Sequence, residues 1–275
     1  MSIKKENNLL AVITLILLTI VMLLPFYWMI NTSLKVELEV FTIPPTWVPS
    51  KIMWSNYSGV FDRIPFVQGL FNSFYITALC TVGTVFFSSL TAYAFAKMQF
   101  RFKGPLFSIY LLSMMIPFQI TLIPQFILFS NIGWIDSHLA LIIPFIFTNG
   151  FGVFMLKQFF QALPDALIES ALIDGCSQWK IFKSIMLPQV QPALASVAVF
   201  AIIARWNDFL GPYVILISPE KFTIPILINA LQGFFSSNWA QIMAATTMSI
   251  IPLLIVYIFA QKYFIEGISL SGIKG

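Results

Sequence analysis

Charge is the first thing this sequence is short of. Only 9% of its 275 residues are Asp, Glu, Lys or Arg, against about 25% in soluble domains. So few charges cannot coat a soluble fold. In a chain that is 59% hydrophobic, the apolar surface must therefore face lipid or other membrane helices. Histidine and cysteine are scarce as well: His138, Cys80 and Cys176 are the whole supply. They form no C-x-x-C and no Cys/His cluster, so neither a disulfide nor a metal site is expected. An intramembrane enzyme would need a nucleophile–base or metal constellation, and these three residues supply none. No G-x-x-x-x-G-K-[ST] occurs, which removes the phosphate-cradling loop and with it ATP hydrolysis by that route. Ion-coupled transporters usually carry intramembrane acids, and here only Asp208 lies in an apolar run. The net charge of +4 comes without a basic stripe interleaved with aromatics, so nucleic acid is not an expected partner.

What is present is long apolar runs. A span needs about 20 mainly apolar residues to cross a hydrocarbon core about 30 Å thick. Residues 9–30 form a chargeless run behind Lys4 and Lys5. The run is longer than the apolar region of a signal peptide and no A-x-A site closes it, so an uncleaved first span is expected. Further spans are expected at about 70–96, within 105–135, at 139–156 extending towards Phe160, from about 189 to 217, and at about 240–263. The fold class is thus all-α, a polytopic membrane protein with six transmembrane helices. Pro25, Pro117, Pro124 and Pro144 lie within or at the ends of these runs and are candidate kink sites. With the N-terminus inside, ten Lys/Arg fall in inside segments and four in outside segments, which places both termini in the cytoplasm. The longest outside loop, about 31–66, contains "FTIPPTWVPSKIMW". Its prolines block regular helix and its tryptophans suit the membrane–water interface, so it reads as an interfacial lid rather than a ligand site.

Between spans four and five lies "LPDALIESALIDGCSQWKIFKSIMLP", residues 163–188, with five charges. Asp165 and Glu169 favour a helix start, Gly175 a C-terminal stop and Ser177 an N-cap for a second helix. Ile181/Ile185 and Phe182/Met186 share a face, while Lys180 and Lys183 lie off it. This cytoplasmic helix–turn–helix is too short and too charged to cross the bilayer. On physical grounds it either rests on lipid headgroups or docks a soluble partner, with Ser170, Ala171 and Gly175 small enough for close approach.

In the fifth run Arg205 and Asp208 are three residues apart and can pair on one helical face. Ionised groups in a span usually face protein or a water-filled cavity. The pair is either a structural clamp, the simpler reading, or part of a polar lining for a hydroxylated substrate, with Asn207 beside it and Trp206 able to stack on a sugar face. His138 reads as an interfacial loop residue.

The segment "ESALIDGCSQWKIFKSIMLPQVQPAL" resembles the EAA motif of permeases of bacterial ATP-binding-cassette importers. Glu169, Ala171, Asp174, Gly175, Ile185, Leu187, Pro188 and Pro192 match the pattern; Ser170 and Cys176 stand where the family has alanine. The likeness extends over nearly the whole chain through "PFYWMINTSLK", "AYAFAKMQFRFKG", "IPFQITLIPQFILFSNIGWIDSHLALIIP", "RWNDFLGP" and "QKYFIEGISLSGIKG". These segments are similar to the carbohydrate-uptake branch, in particular the second permease subunit of maltose-type and glycerol-3-phosphate-type importers. The resemblance implies a single transmembrane permease domain over 1–275 with its core at about 66–265, in a bacterial inner membrane. It implies a second permease subunit, two ATPase subunits that hold ATP and Mg, and an extracellular solute-binding protein, with no cofactor on this chain. It makes 163–188 the coupling helix segment, with Glu169, Ser170, Ala171, Asp174, Gly175, Ile185, Leu187 and Pro188 docking the ATPase. An ion-coupled transporter or channel subunit is the alternative.

Overall fold

A computed structural model describes residues 6–147, 149–233 and 238–271, and every regular element among them is helical. The helices are α1 (Glu6–Ser33), α2 (Glu37–Val40), α3 (Ser55–Arg63), α4 (Phe66–Lys97), α5 (Lys103–Met114), α6 (Phe118–Asn131) and α7 (Leu139–Phe147). They continue with α8 (Gly150–Ala162), α9 (Ala166–Ile173), α10 (Gln178–Gln189), α11 (Gln191–Trp206), α12 (Leu210–Ile215), α13 (Ile224–Ala230) and α14 (Trp239–Ser271). Among the described residues four stretches are long and apolar enough to cross a bilayer: 11–33 of α1, all of α4, α7 with α8, and 239–259 of α14. Counting the bent pairs α5–α6 and α10–α11 as one span each raises the number to six.

Both bends follow from proline. Between α5 and α6 the axis turns by 97°, and Pro117, in extended geometry, is the N-cap of α6. Between α10 and α11 it turns by 82° at Val190, with Pro192 in the first turn of α11. A proline there has no N–H to leave unpaired, and its fixed φ suits a helix start.

Three expected boundaries move. The second span starts four residues early, at Phe66. The last helix runs on to Ser271. The fifth run is not one helix to residue 217: α11 stops at Trp206, Asn207 is its C-cap, and a separate short helix, α12, follows. The Ile203 carbonyl accepts from Asn207 twice, from its backbone N–H at 3.3 Å and from its side-chain Nδ2 at 2.8 Å. Hydropathy alone does not register such a stop.

The chain divides into two compact units, 1–67 with 227–251 and 68–226 with 252–275. In the first unit, α1 turns its side chains outward over 11–27, and Asn31, Thr32 and Ser33 at its C-terminal end are buried. The N-terminus of α14 is capped from far along the chain. The Glu37 carboxylate accepts from Trp239 N and Ala240 N, each at 3.0 Å, and Asn238 Oδ1 accepts from Gln241 N at 3.0 Å. A carboxylate on free helix N–H groups is favoured by both hydrogen bonding and the helix dipole.

In the second unit α4 buries a row of small polar side chains. Lipid gives helices no hydrophobic reason to associate, so close approach and small residues matter more. Thr84, Ser88 and Ser89 of α4 are buried. A Cβ on Gly152 of α8 would sit 3.0 Å from Ser88 Oγ and 3.1 Å from Val197 Cγ1 of α11, so that glycine sets the spacing of three helices. One apolar cluster gathers Tyr93, Phe160, Phe182 and Met186; another gathers Ile76, Phe129, Leu141 and Ile215.

A polar clamp closes the loops at the α7 end of this unit. Asp136 accepts from Ile217 N, Ser218 N and Lys221 Nζ at 2.9, 3.0 and 2.8 Å. Asn72 Nδ2 donates to the carbonyls of Glu220 and Phe222. His138 is a loop residue. Its Nε2 meets the Lys221 carbonyl at 2.7 Å and its Nδ1 meets the Tyr75 hydroxyl. Since a carbonyl only accepts, Nε2 carries the proton and Nδ1 of the neutral ring accepts from Tyr75. The Lys221 ammonium, then the Ser218 hydroxyl and backbone N–H groups, hold the Asp136 carboxyl well below the usual carboxylate range. Such a group contributes stability above its unfolded pKa and loses it only as pH falls through the folded one, so Asp136 adds no pH dependence near neutrality. His138 differs. Burial, aided by the Lys221 charge, pushes its pKa down, so the folded chain binds fewer protons than the unfolded one. Stability should therefore decline as pH falls below about 6.5. Thermal unfolding of the detergent-purified protein at pH 5 and pH 7.5 should show a lower midpoint at pH 5, and His138→Gln should shrink the difference.

Candidate functional site

The elbow at 163–188 is built as its residues direct. Helix α9 ends in a Schellman turn: Cys176 N donates to the Ala171 carbonyl at 2.9 Å and Gly175 N to the Leu172 carbonyl at 3.0 Å. Gly175 takes φ +72°, a left-handed conformation that costs an L side chain about 1–2 kcal/mol. Ser177 then caps α10, its Oγ accepting from Lys180 N. Within α10, Phe182–Met186 forms a π turn. The following Pro188 lacks an N–H and its ring would press on the carbonyl four residues back, which favours a widened turn there.

The elbow has two faces. Ala171, Ile181, Phe182 and Met186 are buried, with Ile185 and Leu187 packed against the same cluster. Tyr93 of α4 reaches into it: its ring lies 5.2 Å from that of Phe182 and its hydroxyl donates to Gln178 Oε1 at 3.3 Å. Lys97, the last residue of α4, donates to the Leu163 carbonyl and the Asp165 carboxylate, both at 2.6 Å. The other face looks outward. Glu169, Ser170, Asp174, Gly175 and Pro188 are exposed, and beside them stand Leu172, Ile173 and Trp179, with Ile173 87% exposed. Apolar side chains thus stand exposed next to two carboxylates.

The second candidate site lies where α11 stops. Arg205 Nη1 and Asp208 Oδ2 pair at 3.0 Å, and the guanidinium lies 3.9 Å from the centroid of the Phe145 ring. They are not on one helix, because Asp208 follows the C-cap. The turn brings its carboxylate back, and Gly211 N donates to Oδ1 at 3.4 Å. A cavity of about 110 Å³ adjoins the pair, lined also by Gln125, Pro144 and Gly211. Trp206 is buried and lines a different, apolar cavity of about 360 Å³ with Phe74, Thr77, Pro252 and Val256. The expected grouping of Trp206 with Arg205 and Asp208 is therefore divided between two cavities, while Asn207 is exposed.

Residues 84–269 match the family model described as the binding-protein-dependent transport system inner membrane component. The chain belongs to this family. A membrane component of such a system transports and is not an enzyme, and an ion-coupled transporter is not favoured. This permease is 32% identical to the arabinooligosaccharides transport system permease protein AraQ of Bacillus subtilis over 262 residues, 94% of this chain and 93% of that one. It is 30% identical to the sn-glycerol-3-phosphate transport system permease protein UgpE of Yersinia enterocolitica over 267 residues, 93% and 94% of the two chains. Its fold is that of a chain in the crystal structure of a bacterial ABC transporter involved in the import of the acidic polysaccharide alginate. The TM-score is 0.79 at 24% identity, covering 96% of this chain and 99% of the other.

Two parts of the permease's elbow escaped sequence reasoning. Lys97 reads as a charge that ends a span, yet its partner Leu163 lies 66 residues away. Tyr93 and Phe160 read as span residues, yet they seat the elbow. Lys97→Ala should loosen the elbow far more than Asp165→Asn. The Lys97 side chain is 5% exposed and the Asp165 side chain 75%, and exposed ion pairs contribute little. Proteolysis of the assembled complex near residue 164 should quicken in the first variant and change little in the second. Among the described residues no three His, Cys, Asp or Glu are grouped to hold a metal ion.

Proposed function

We propose that this chain is one of two permease subunits of an ATP-driven carbohydrate importer and forms half of the solute pathway. It crosses the membrane six times, with both termini in the cytoplasm, and acts as one domain over 1–275 with its core at about 66–265. The elbow of α9 and α10 seats on an ATPase subunit, through Glu169, Ser170, Asp174, Gly175 and Pro188 outward, while Ala171, Ile185 and Leu187 brace it from behind. ATP and Mg belong to two such ATPases, and an extracellular solute-binding protein delivers the substrate. The observation that carries this reading is the two-faced elbow, anchored by Tyr93 and Lys97 and exposing Leu172, Ile173 and Trp179 beside two carboxylates. Family membership and the sugar named for AraQ support the rest. Arg205, Asn207 and Asp208, with Trp206 behind them, are the polar candidates for the pathway.

Purification of the natively expressed chain tests the assembly. A second permease and an ATPase pair should come with it, and Ile173→Cys should crosslink to the ATPase. A solitary chain that transports solute by itself would refute the proposal. Binding of a carbohydrate panel to the solute-binding protein identifies the sugar.

A further inference from the structure

We infer that the connection from α1 to α3, residues 34–54, is inserted in the membrane–water interface, with its apolar side chains among the lipids. This rests on the reading that α1 spans the bilayer. The first observation is depth. The Tyr27 hydroxyl donates to the Trp47 carbonyl, the Trp28 and Trp47 rings meet edge to face with centroids 5.5 Å apart, and Asn31 Nδ2 donates to the Thr46 carbonyl at 3.3 Å. Tyr27 precedes the helix end at Ser33 by six residues, about 9 Å along the axis. The connection therefore folds back beside the last two turns of α1, level with Leu24, Phe26 and Ile30, whose side chains are exposed. It does not stand off the helix end into water.

The second observation is which groups point outward. Four charges lie between 34 and 54, and three are withdrawn. Lys35 is buried, donates to the Thr46 carbonyl at 2.7 Å and lies over the Trp28 ring. Glu39 accepts from Ser50 N and Oγ at 3.1 and 2.8 Å. Glu37 caps α14. The large apolar side chains outside include Leu38, Phe41, Ile43, Trp47, Val48 and Trp54, with Ile43 95% and Leu38 89% exposed, beside the small polar Thr42 and Ser50. Water would favour the reverse arrangement. A protein-docking surface would carry a polar rim, whereas here Lys51 is the one outward charge of the segment. Exposed tryptophans at the height of a span's end, continuous with its outward apolar side, match the chemistry of the headgroup–acyl boundary.

The test uses the complete importer in nanodiscs, with Cys80→Ala and Cys176→Ala as background and an environment-sensitive fluorophore on Ile43→Cys. Lipids spin-labelled at acyl carbon 5 should quench it at least twofold more than aqueous iodide does, with or without the solute-binding protein. Lys51→Cys should show the opposite preference. Quenching of Ile43→Cys by iodide alone overturns the inference, and so does shielding that appears only when the solute-binding protein is added. Leu17→Cys, in the middle of α1, separates the two readings. If spin labels at acyl carbon 12 quench Leu17→Cys but no lipid label quenches Ile43→Cys, only the insertion fails. If neither position is quenched, the spanning assignment of α1 fails with it.

Discussion

Gly175→Pro should abolish coupled uptake while leaving the protein in the membrane. Proline fixes φ near −65°, and Gly175 stands at +72°. The substitution also removes the N–H that donates to the Leu172 carbonyl at 3.0 Å. Together these cost about 3 kcal/mol or more at the turn, and each 1.4 kcal/mol is a factor of about ten in an equilibrium. The angle between α9 and α10 would be lost, and with it the outward display of Leu172, Ile173 and Trp179. Reconstituted complexes should show uptake at least tenfold below the parent and weakened retention of the ATPase. Gly175→Ala isolates the backbone contribution. No atom lies within 4 Å of a Cβ at that position, so only the left-handed conformation is penalised, at about 1–2 kcal/mol. Its uptake should fall between the two. Equal uptake in all three proteins would remove the elbow from the mechanism.

Asp208→Ala should destabilise the permease by about 2–4 kcal/mol. It strands the Arg205 guanidinium, whose side chain is only 18% exposed, with the Phe145 ring as its remaining close partner. Removing one member of a buried ion pair costs more than the pair contributes, because the other charge keeps its desolvation penalty. Thermal unfolding in detergent measures the loss. The double variant Arg205→Leu/Asp208→Ala should recover most of it, since no unpaired charge remains. That double variant also separates clamp from pathway. If the pair only holds the end of α11, uptake returns with stability. If it lines the route, stability returns and uptake does not.

Much of this could be read from residue order, for reasons that differ by element. Spans are legible because lipid demands long apolar runs and tolerates few exceptions. The elbow is legible because its turn depends on one glycine and one serine cap, both with local signatures. The end of α11 was missed although its signals are local: Asn207 and Asp208 follow Trp206, with Gly211 and Pro212 shortly after, turn-forming residues that a search for long apolar runs passes over. The seat of the elbow was hidden for another reason. Tyr93 and Lys97 act on Gln178 and Leu163, far along the chain, and pattern reading sees only near neighbours. Trp206 shows the reverse error: adjacency to Arg205 in sequence placed it in the polar site, but successive helix positions point about 100° apart, and it lines the apolar cavity.

The wide turn at Phe182–Met186 holds one surplus residue in α10. Deleting Ser184 would let that turn tighten to ordinary α geometry. Because the wide turn absorbs that residue, the rest of α10 would keep its phase, whereas the same deletion in a regular α turn would rotate everything downstream by about 100° and shorten it by about 1.5 Å. The elbow thus carries a one-residue reserve that its flanking turns do not register.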